Sequence, residues 1–595
     1  MTAGGATTAV SEHDHTVPIP RQPEPVSPDE GTPEGPLAAA EDQLADPPHE
    51  PSATVDTEPA VEPAEVPAVE AVPPAADEVA AASRWPIPHG PLPAELAPET
   101  RAPDAGEPER AADKAIVASA PVSGRHDGRA HALTQLACLL SGLLAAAVGA
   151  LRLSWPGLWG DELATWGMTT VSWDELGRLL GGSDVVIGPY YALVKGWTML
   201  AGSSDVALRV PSVAATAVTA MLIAALGSRL ASPRVGFVAG LLFAVVPAVS
   251  RYAQEARPYA LVTMFAVLAT LLLTRLAERR GAGRVVAYAA SVTALGLLHP
   301  LALSLLAAHA VVVLVAERQA FARWMAGAVA GAVPGGVLLW LGYRQASQVS
   351  WIPLARLSSL AEYPGEVFGA ALGAGVILAL ALFAVSLRRP AVVYSAWALV
   401  PTALVFAAGT AIPLWLPRYL LFTIPAWVLL AATALGRYPV IRGLVAIAAV
   451  TVLAVPAQSQ LRAVDGHSQD TRQLAALIAS LSRPGDGIVY GTLDRGGGWI
   501  ARDTVAHYVP AEQQPTDLLA ERPQRTGGHL LAAECPAIVK CLGRADRVWL
   551  VRLGETDNPL VGIGKPKMEA FTNYDVVKTW RPRGFTLALL LRRPG

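Results

Sequence analysis

The sequence predicts an α-helical polytopic membrane protein with about 11 transmembrane helices, preceded by a disordered tail and followed by a small extracytoplasmic α/β domain. Three observations predict this fold class. Of the 595 residues, 52% are hydrophobic and only 16% are charged, whereas roughly a quarter of the residues of a soluble protein are charged. Long apolar runs alternate with short polar segments through the middle of the chain. The composition changes abruptly on either side of that middle region.

Residues 1–128 are rich in Pro, Ala, Glu and Asp, and the first tryptophan is Trp85. Such a segment cannot bury enough apolar surface to offset the entropy lost on ordering. We therefore expect a disordered cytoplasmic tail. A disordered appendage and a docking segment for a cytoplasmic partner both fit this composition.

Residues 129–458 are expected to form the membrane domain, because its apolar runs of roughly 16 to 22 residues can span or nearly span the hydrocarbon layer. Arg-rich loops are expected to be cytoplasmic by the positive-inside rule. These loops are 228–234, 275–284, 316–323, 386–390 and 436–442. The predicted spans are 131–151, 206–227, 235–250, 258–275, 285–299, 302–316, 324–343, 364–386, 392–409, 419–436 and 443–458.

The remaining loops are then outside, beginning with the first outer loop, 152–205. The apolar stretch 185–202 within it contains Gly188, Pro189 and Lys195. A full span there would invert every later loop, so we expect an amphipathic helix lying in the outer interface.

Residues 459–595 read as an extracytoplasmic α/β domain. The stretch "TRQLAALIASLSRPGDGIVYG" predicts an amphipathic helix, a turn and a strand, while "ADRVWLVRLG" and "FTLALLLRRP" predict further strands. Cys535 and Cys541 fall in this domain, in a compartment that permits disulfides. The sequence leaves open whether they pair or remain free thiols.

The charge and cysteine counts exclude several classes of function. A formal net charge of -3 provides no general attraction to nucleic acid. Three cysteines form neither a disulfide scaffold nor a zinc-ligand pattern. No cofactor is therefore indicated by a motif, although a divalent cation bound by carboxylates stays possible and its ligands are unknown.

The first outer loop contains nearly the same acidic word twice, "GDEL" at 160–163 and "WDEL" at 173–176. Ser172 followed by Glu175 matches a helix capping box, so we interpret Asp174 and Glu175 as capping residues. Asp161 and Glu162 follow the first span and the interfacial tryptophans of "SWPGLW". Capping is an alternative reading here too, but this is where a carboxylate would meet a membrane-bound substrate.

Five segments together resemble the GT-C glycosyltransferases, in the family-39 branch that includes bacterial relatives of protein O-mannosyltransferases and of the lipid A aminoarabinose transferase. The resemblance covers roughly residues 131–460. The segments that carry it are "LWGDELATW", "GPYYALVKGWTMLAGSSDVALRVPS", "YAQEARPYAL", "SWIPLARL" and "PRYLLFTIPAWVLLA".

The resemblance implies a catalytic acidic residue in the first outer loop, which matches Asp161, with Glu162 beside it. It also implies outer-facing basic residues that hold the phosphate of a lipid carrier, which match Arg257 and Arg418. Snorkelling at the interface is the alternative explanation for both arginines.

Weaker candidates share these loops. Lys195 could approach the donor phosphate, although a lysine on an interfacial helix usually only solvates it. The candidates for substrate binding are Tyr190, Glu255, Tyr259, Trp351 and Tyr419. Glu255 could instead be the ion-pair partner of a neighbouring arginine, and Trp351 could be an interfacial anchor.

The resemblance implies transfer of a sugar, with mannose expected, from a polyprenyl-phosphate donor in the membrane lipid. The acceptor would be an extracytoplasmic hydroxyl on a glycan, lipid or protein. The expected location is a bacterial inner membrane, with the N-terminus cytoplasmic and the C-terminal domain outside. A transporter or flippase of lipid-linked sugars is the main alternative, and a scaffold with an inactive membrane anchor is a third.

Overall fold

The computed structural model describes residues 123–491 and 497–594. Almost all of the predicted N-terminal tail lies outside the described residues. The first span is α1 (Ser123–Ala150), and the first outer loop contains three helices. These are α2 (Gly160–Thr170), α3 (Trp173–Gly182) and α4 (Gly188–Ala201).

Each of the other ten predicted spans coincides with one helix or with a bent pair of helices. The helices are α5 (Asp205–Leu230), α6 (Pro233–Val245), α7 (Pro247–Ala253), α8 (Tyr259–Glu278), α9 (Ala282–Leu298), α10 (Leu305–Ala316), α11 (Phe321–Tyr343), α12 (Leu357–Phe368), α13 (Ala371–Leu382), α14 (Ala391–Gly409), α15 (Ile424–Leu435) and α16 (Val440–Leu461). Among the described residues, seven helical segments are long and apolar enough to cross a membrane, and up to nine if each bent pair is one span. Shorter apolar helices, Ala282–Leu298 and Pro300–Ala316, occupy the other two predicted positions.

Two predicted spans are bent and not straight. The pair α6 and α7 turns by 67° at Pro247, whose ring cannot donate the backbone hydrogen bond that would continue the first helix. The pair α12 and α13 turns by 101° at Gly369, which has a φ of 73°. A side chain at Gly369 would also meet the backbone of Ala248 at 2.9 Å. The spans predicted at 235–250 and 364–386 therefore each coincide with a bent pair of helices and not with one continuous helix.

Helix α4 has the two-sided character expected of an interfacial helix. Tyr190 and Val194 are buried, while Met199 is 71% exposed and Leu200 is 86% exposed. At 14 residues it is about 21 Å long, which is shorter than the hydrocarbon layer.

The α/β fold predicted for the C-terminal region is confirmed. A mixed five-stranded sheet has the strand order β2-β1-β5-β7-β6, and β3 pairs separately with β4. Cys535 and Cys541 form a disulfide, which resolves the alternative that the sequence left open. The elements are α17 (Thr471–Leu481), β1 (Gly487–Gly491), α18 (Ile500–Tyr508), β2 (Thr516–Asp517), β3 (Ala520–Arg522), β4 (Ala533–Glu534), α19 (Ile538–Leu542), β5 (Arg547–Leu553), α20 (Lys565–Ala570), β6 (Tyr574–Trp580) and β7 (Phe585–Arg592).

The sheet has two buried faces that belong to different cores. Because successive strand residues point to opposite faces, Trp549 and Leu587 lie on one face, and Leu550 and Ala588 lie on the other. The first face joins the same apolar core as the membrane helices. The C-terminal domain is thus packed directly against the membrane domain and its first outer loop.

Candidate active site

The first turn of α2 places two adjacent carboxylates in different surroundings. Consecutive helical residues point about 100° apart, so Asp161 and Glu162 cannot face the same partner. The side chain of Asp161 is 26% exposed, whereas that of Glu162 is completely buried.

Glu162 is held in a buried ion pair with Arg209 of α5. The guanidinium donates to both carboxylate oxygens, at 2.8 Å and 2.6 Å, and the Ala256 amide donates to Oε1 at 3.0 Å. Burial alone would raise the pKa of Glu162, but the charge and hydrogen bonds of Arg209 hold it well below its usual range. The neighbouring ring of His467 lies 3.6 Å away, and burial lowers the pKa of His467 to about 3. This geometry favours a structural role for Glu162, since its oxygens are already occupied.

Asp161 faces Arg257, which lies in the short link between α7 and α8. The Arg257 Nε lies 3.8 Å from Oδ2 of Asp161, and its Nη1 donates to the Tyr191 hydroxyl at 3.5 Å. That hydroxyl in turn donates to Asp184 at 3.1 Å. Burial acts to lower the pKa of Arg257, but the charge of Asp161 and its other neighbours raise it well above its usual value. Arg257 is therefore a permanent cation beside Asp161.

A second cation, Arg418, reaches the same cluster from the 3₁₀ turn Pro417–Thr423 that precedes α15. Its guanidinium carbon lies 5.7 Å from the ring centre of Trp351 and 5.9 Å from that of Tyr419. The Tyr419 ring centre lies in turn 6.4 Å from that of Tyr259, which begins α8 directly after the link that contains Arg257. The structure thus brings together the six predicted residues Asp161, Arg257, Tyr259, Trp351, Arg418 and Tyr419.

Glu255 lies behind this cluster, and only one of its two carboxylate oxygens accepts a hydrogen bond from the described residues. Its Oε2 accepts from Arg251 at 2.7 Å, while its buried Oε1 has no hydrogen-bond partner among the described residues. Burial raises the pKa of Glu255 to about 7, against the opposing charge of Arg251. The ion pair with a neighbouring arginine, one of the alternatives open from the sequence, is present.

Two other predicted residues have local surroundings. Lys195 donates to the carbonyl of Thr169 at 3.1 Å and to that of Val171, where the C-terminal end of α2 attracts a cation. Tyr190 is fully buried, and its hydroxyl has no hydrogen-bond partner in the described part of the chain. Lys195 is therefore occupied by backbone carbonyls instead of facing the Asp161 cluster.

The second acidic word is used differently from the first. Ser172 accepts from the Glu175 amide at 3.1 Å, as the predicted cap requires. The Glu175 side chain does not close the capping box; it accepts from Arg178 at 2.9 Å and from the Gly528 amide at 2.6 Å. Asp174 is exposed. This turn therefore connects α3 to the C-terminal domain.

Comparison with known proteins agrees with the predicted fold. The dolichyl-phosphate-mannose-protein mannosyltransferase family matches residues 189–340, about a quarter of the chain. The structure of ArnT from Cupriavidus metallidurans in the apo state is similar with a TM-score of 0.52 at 14% identity, over 76% of this chain and 97% of that one. The chain therefore shares the GT-C fold of this structure. The resemblance inferred from the sequence is confirmed at this level.

Two further solved structures are similar to this chain. ArnT from Cupriavidus metallidurans bound to undecaprenyl phosphate has a TM-score of 0.50 at 15% identity, with the same coverage of 76% and 97%. The oligosaccharyltransferase of Archaeoglobus fulgidus, in complex with zinc and sulfate, has a TM-score of 0.42 at 12% identity, over 76% and 72%. No curated protein matches this sequence. At these identities the two ArnT structures establish the shared fold and nothing beyond it.

Several residues of this site were missed from the sequence. Arg209 could have been found, because an arginine inside an apolar span requires a partner. His299 also belongs to this cluster, since its ring centre lies 4.8 Å from that of Tyr419 and 6.0 Å from that of Tyr259. Tyr191 carried no separate signal, since its contact with Arg257 joins residues 66 positions apart.

The described residues contain one group of side chains with the spacing of a metal site, Glu521, Cys535 and Cys541. Both sulfurs are joined in the disulfide, and a metal ligand must be a thiolate. This group is therefore a disulfide beside a carboxylate and not a metal centre.

Proposed function

We propose that this protein is a membrane glycosyltransferase that moves a sugar from a polyprenyl-phosphate carrier to an acceptor hydroxyl. One observation carries the proposal. A partly exposed carboxylate, Asp161, lies 3.8 Å from a buried guanidinium, and a second guanidinium, Arg418, lies beside the aromatic rings of the same cluster. A general base beside two anion-binding cations is the set of groups that this transfer needs.

In the proposed reaction, Asp161 takes the proton of the acceptor hydroxyl as its oxygen forms a bond to the anomeric carbon. The bond from that carbon to the phosphate oxygen breaks, and the carrier phosphate leaves with the electron pair. Arg257 and Arg418 neutralise the charge that develops on the phosphate. Arg209 and Glu162 hold the first turn of α2 in place so that Asp161 points at the acceptor.

Other candidate residues take supporting positions in this proposal. Tyr259, Tyr419 and Trp351 form an aromatic wall next to Arg418, suited to a sugar ring or the start of the lipid. Tyr190, Glu255 and Lys195 lie behind the site or at the end of α2, and we expect them to shape it without touching the reacting atoms.

The identity of the donor is the finer part of the proposal. A polyprenyl phosphate is supported by the similar ArnT fold, whose structure holds undecaprenyl phosphate. Mannose is supported by the description of the matching family. The acceptor is proposed to be an extracytoplasmic glycan, lipid or protein.

The proposal is tested by supplying membranes with radiolabelled polyprenyl-phosphate sugars, mannose and aminoarabinose among them, and an envelope extract as the acceptor. Asp161→Asn should lower transfer by about 10²- to 10⁴-fold. The matched control Asp174→Asn removes the same charge from the exposed acid of α3 and should retain activity. Equal activity in both variants contradicts the assignment of Asp161, and no transfer from any donor favours a lipid-sugar transporter.

We also propose that Asp161 can serve as a ligand for a divalent cation, because Mg²⁺ and similar ions prefer carboxylate oxygens. The same assay with and without a chelator tests it. Loss of transfer with the chelator and recovery on adding Mg²⁺ or Mn²⁺ would support a cation. Unchanged transfer would remove it from the mechanism.

The orientation is proposed from the alternation of Arg-rich loops, with the N-terminus inside and the C-terminal domain outside. A membrane-impermeant maleimide applied to intact cells should label a cysteine placed at exposed Gln513, and should not label one placed at exposed Arg280. Labelling of Arg280→Cys alone would invert the proposed topology.

A further inference from the structure

The segment that leads into Asp161 is held by the C-terminal domain through its backbone. The Leu158 amide donates to the Tyr508 hydroxyl at 2.7 Å, and the Leu158 carbonyl accepts from the Thr471 hydroxyl at 3.0 Å. Tyr508 ends α18 and Thr471 begins α17. Both backbone groups of Leu158 are therefore bonded to residues more than 300 positions later in the chain.

Gly160, the residue directly before Asp161, is held in the same way. Its amide donates to Oε1 of Gln469 at 2.8 Å, and its carbonyl accepts from Nε1 of Trp499 at 3.1 Å. A side chain at this position would meet the Ile500 Cδ1 atom at 2.6 Å. A larger residue would have to displace the end of the Ile500 side chain, so α2 and the C-terminal domain approach closely at this glycine.

These contacts include a hydrogen bond to a first-turn amide of α2 that a capping side chain would usually provide. The first amides of a helix have no partner within it, and a Ser, Thr, Asp or Asn at the N-cap usually accepts from one of them. The N-cap of α2 is Trp159, which makes no side-chain capping bond. Gln469 supplies an acceptor to that turn from another domain.

Resting on the proposed function, we infer that the C-terminal domain positions the catalytic carboxylate, with Gln469, Thr471 and Trp499 as positioning residues. On one side of Asp161 the backbone is held by these residues, and on the other side Glu162 is held by Arg209. The carboxylate between them projects toward Arg257. Small errors in such a geometry can cost about 10²-fold in rate.

The bonds to Leu158 and Gly160 should affect kcat and the KM for the lipid donor differently. Arg257 and Arg418, the proposed phosphate ligands, lie in the α7–α8 link and in the turn before α15, so they do not depend on these bonds. Loosening the bonds should therefore lower kcat and leave the KM for the lipid donor nearly unchanged. A general loss of folding would instead lower the amount of active protein at an unchanged kcat per folded site.

The experiment compares pairs of variants in the full-length protein. Thr471→Val and Gln469→Ala remove a hydrogen-bonding group, while Thr471→Ser and Gln469→Glu retain one. Gln473→Ala, at an exposed position of α17, is the control. We expect kcat to fall about tenfold in the first pair, to recover in the second, and to stay at the wild-type level in the control.

Hydrogen exchange of the peptide spanning residues 158–165 provides a readout that needs no activity. It should be faster in Thr471→Val and Gln469→Ala than in the wild type, and close to wild type in the conservative variants. Faster exchange with an unchanged kcat overturns the positioning inference alone, as does unchanged exchange. Absence of transfer by the wild-type protein overturns the proposed function, and exchange would then report only how the two domains are joined.

Discussion

The first turns of α2 and α3 contain the same pair of acids and use them for different purposes. In α3, Ser172 caps the helix and Glu175 bonds to Arg178 and to the Gly528 amide, while Asp174 is exposed. In α2, the N-cap residue Trp159 makes no capping bond, and the two acids face separate arginines: Glu162 faces Arg209, and Asp161 faces Arg257. The difference lies in what packs against each turn and not in the acidic word itself.

The packing explains why one carboxylate of α2 is left available. The first turn of α2 is enclosed by α5, by the α7–α8 link and by the C-terminal domain. Enclosure forces Glu162 into a saturated ion pair, since a buried charge must be paired. Asp161 points the other way, into a partly open cluster of cations and aromatic rings, where a substrate can reach it.

The largest expected effect is a difference in stability between variants of Glu162 in α2 and of Glu175 in α3. Glu162→Gln leaves the guanidinium of Arg209 buried without a counter-charge, and breaking a buried pair in this way costs about 3–5 kcal/mol. Glu175→Gln makes the same chemical change at the rim, where water can solvate Arg178. Thermal unfolding of both variants in detergent should show a large loss of stability for Glu162→Gln and little change for Glu175→Gln. Similar losses in the two would mean that the enclosure of Glu162 has no energetic consequence.

The next effect is a difference in transfer kinetics between variants of Arg257, which faces Asp161, and of Arg178, which faces Glu175. Arg257→Lys keeps the charge but loses the planar donor group that can bind a phosphate at two points. We expect transfer to fall by roughly 10- to 10²-fold with a raised KM for the lipid donor. Arg178→Lys, with a side chain that is 59% exposed, is the matched control and should have wild-type kinetics. A wild-type KM in Arg257→Lys would remove this residue from the phosphate site.

The sequence predicted most of the helices because their signal is local. Apolar runs placed a helix at every expected span, and the Ser172 cap followed from two residues three positions apart. The bends at Pro247 and Gly369 were missed, although both residue types interrupt helices. The assignment of Asp161 and Arg257 to one cluster came from the family resemblance.

The partners within the site were mostly beyond prediction because they are distant in the chain. Arg209 and Glu162 are 47 positions apart, and Gln469 and Gly160 are 309 apart. An arginine in an apolar span predicts that it has a partner. It does not predict which carboxylate that partner is. Composition likewise predicted a C-terminal α/β domain, but not that it bonds to the backbone before Asp161.

A smaller effect contrasts the two buried glutamates near the site, Glu162 and Glu255. Burial raises the pKa of Glu255 from its ordinary value of 4.5 to about 7, so the folded protein favours its protonated form. The resulting stabilisation is complete below pH 4.5 and is lost as the pH rises through 7. The wild type should therefore lose roughly a few degrees of Tm between pH 5 and pH 8 relative to Glu255→Gln.

Melting curves of the two proteins across this pH range measure that difference directly. The pKa of Glu162 is held below its usual range, so its contribution stays constant between pH 5 and pH 8. Parallel curves for the wild type and Glu255→Gln would show that Glu255 stays ionised, with its charge balanced by Arg251. The two buried glutamates would then behave alike.

The smallest effect concerns the Ser172 cap of α3, which the N-cap residue of α2 does not provide. Ser172→Ala removes the acceptor for the Glu175 amide, which costs about 1 kcal/mol at a typical N-cap. Because Glu175 still accepts from the Gly528 amide, α3 should stay docked and the transfer kinetics should stay at the wild-type level. Thermal unfolding together with kcat tests this, since a lower kcat in a folded Ser172→Ala variant would mean that α3 also positions the catalytic turn. The C-terminal domain would then hold the active site through both acidic words, by the backbone before Asp161 and by the side chain of Glu175.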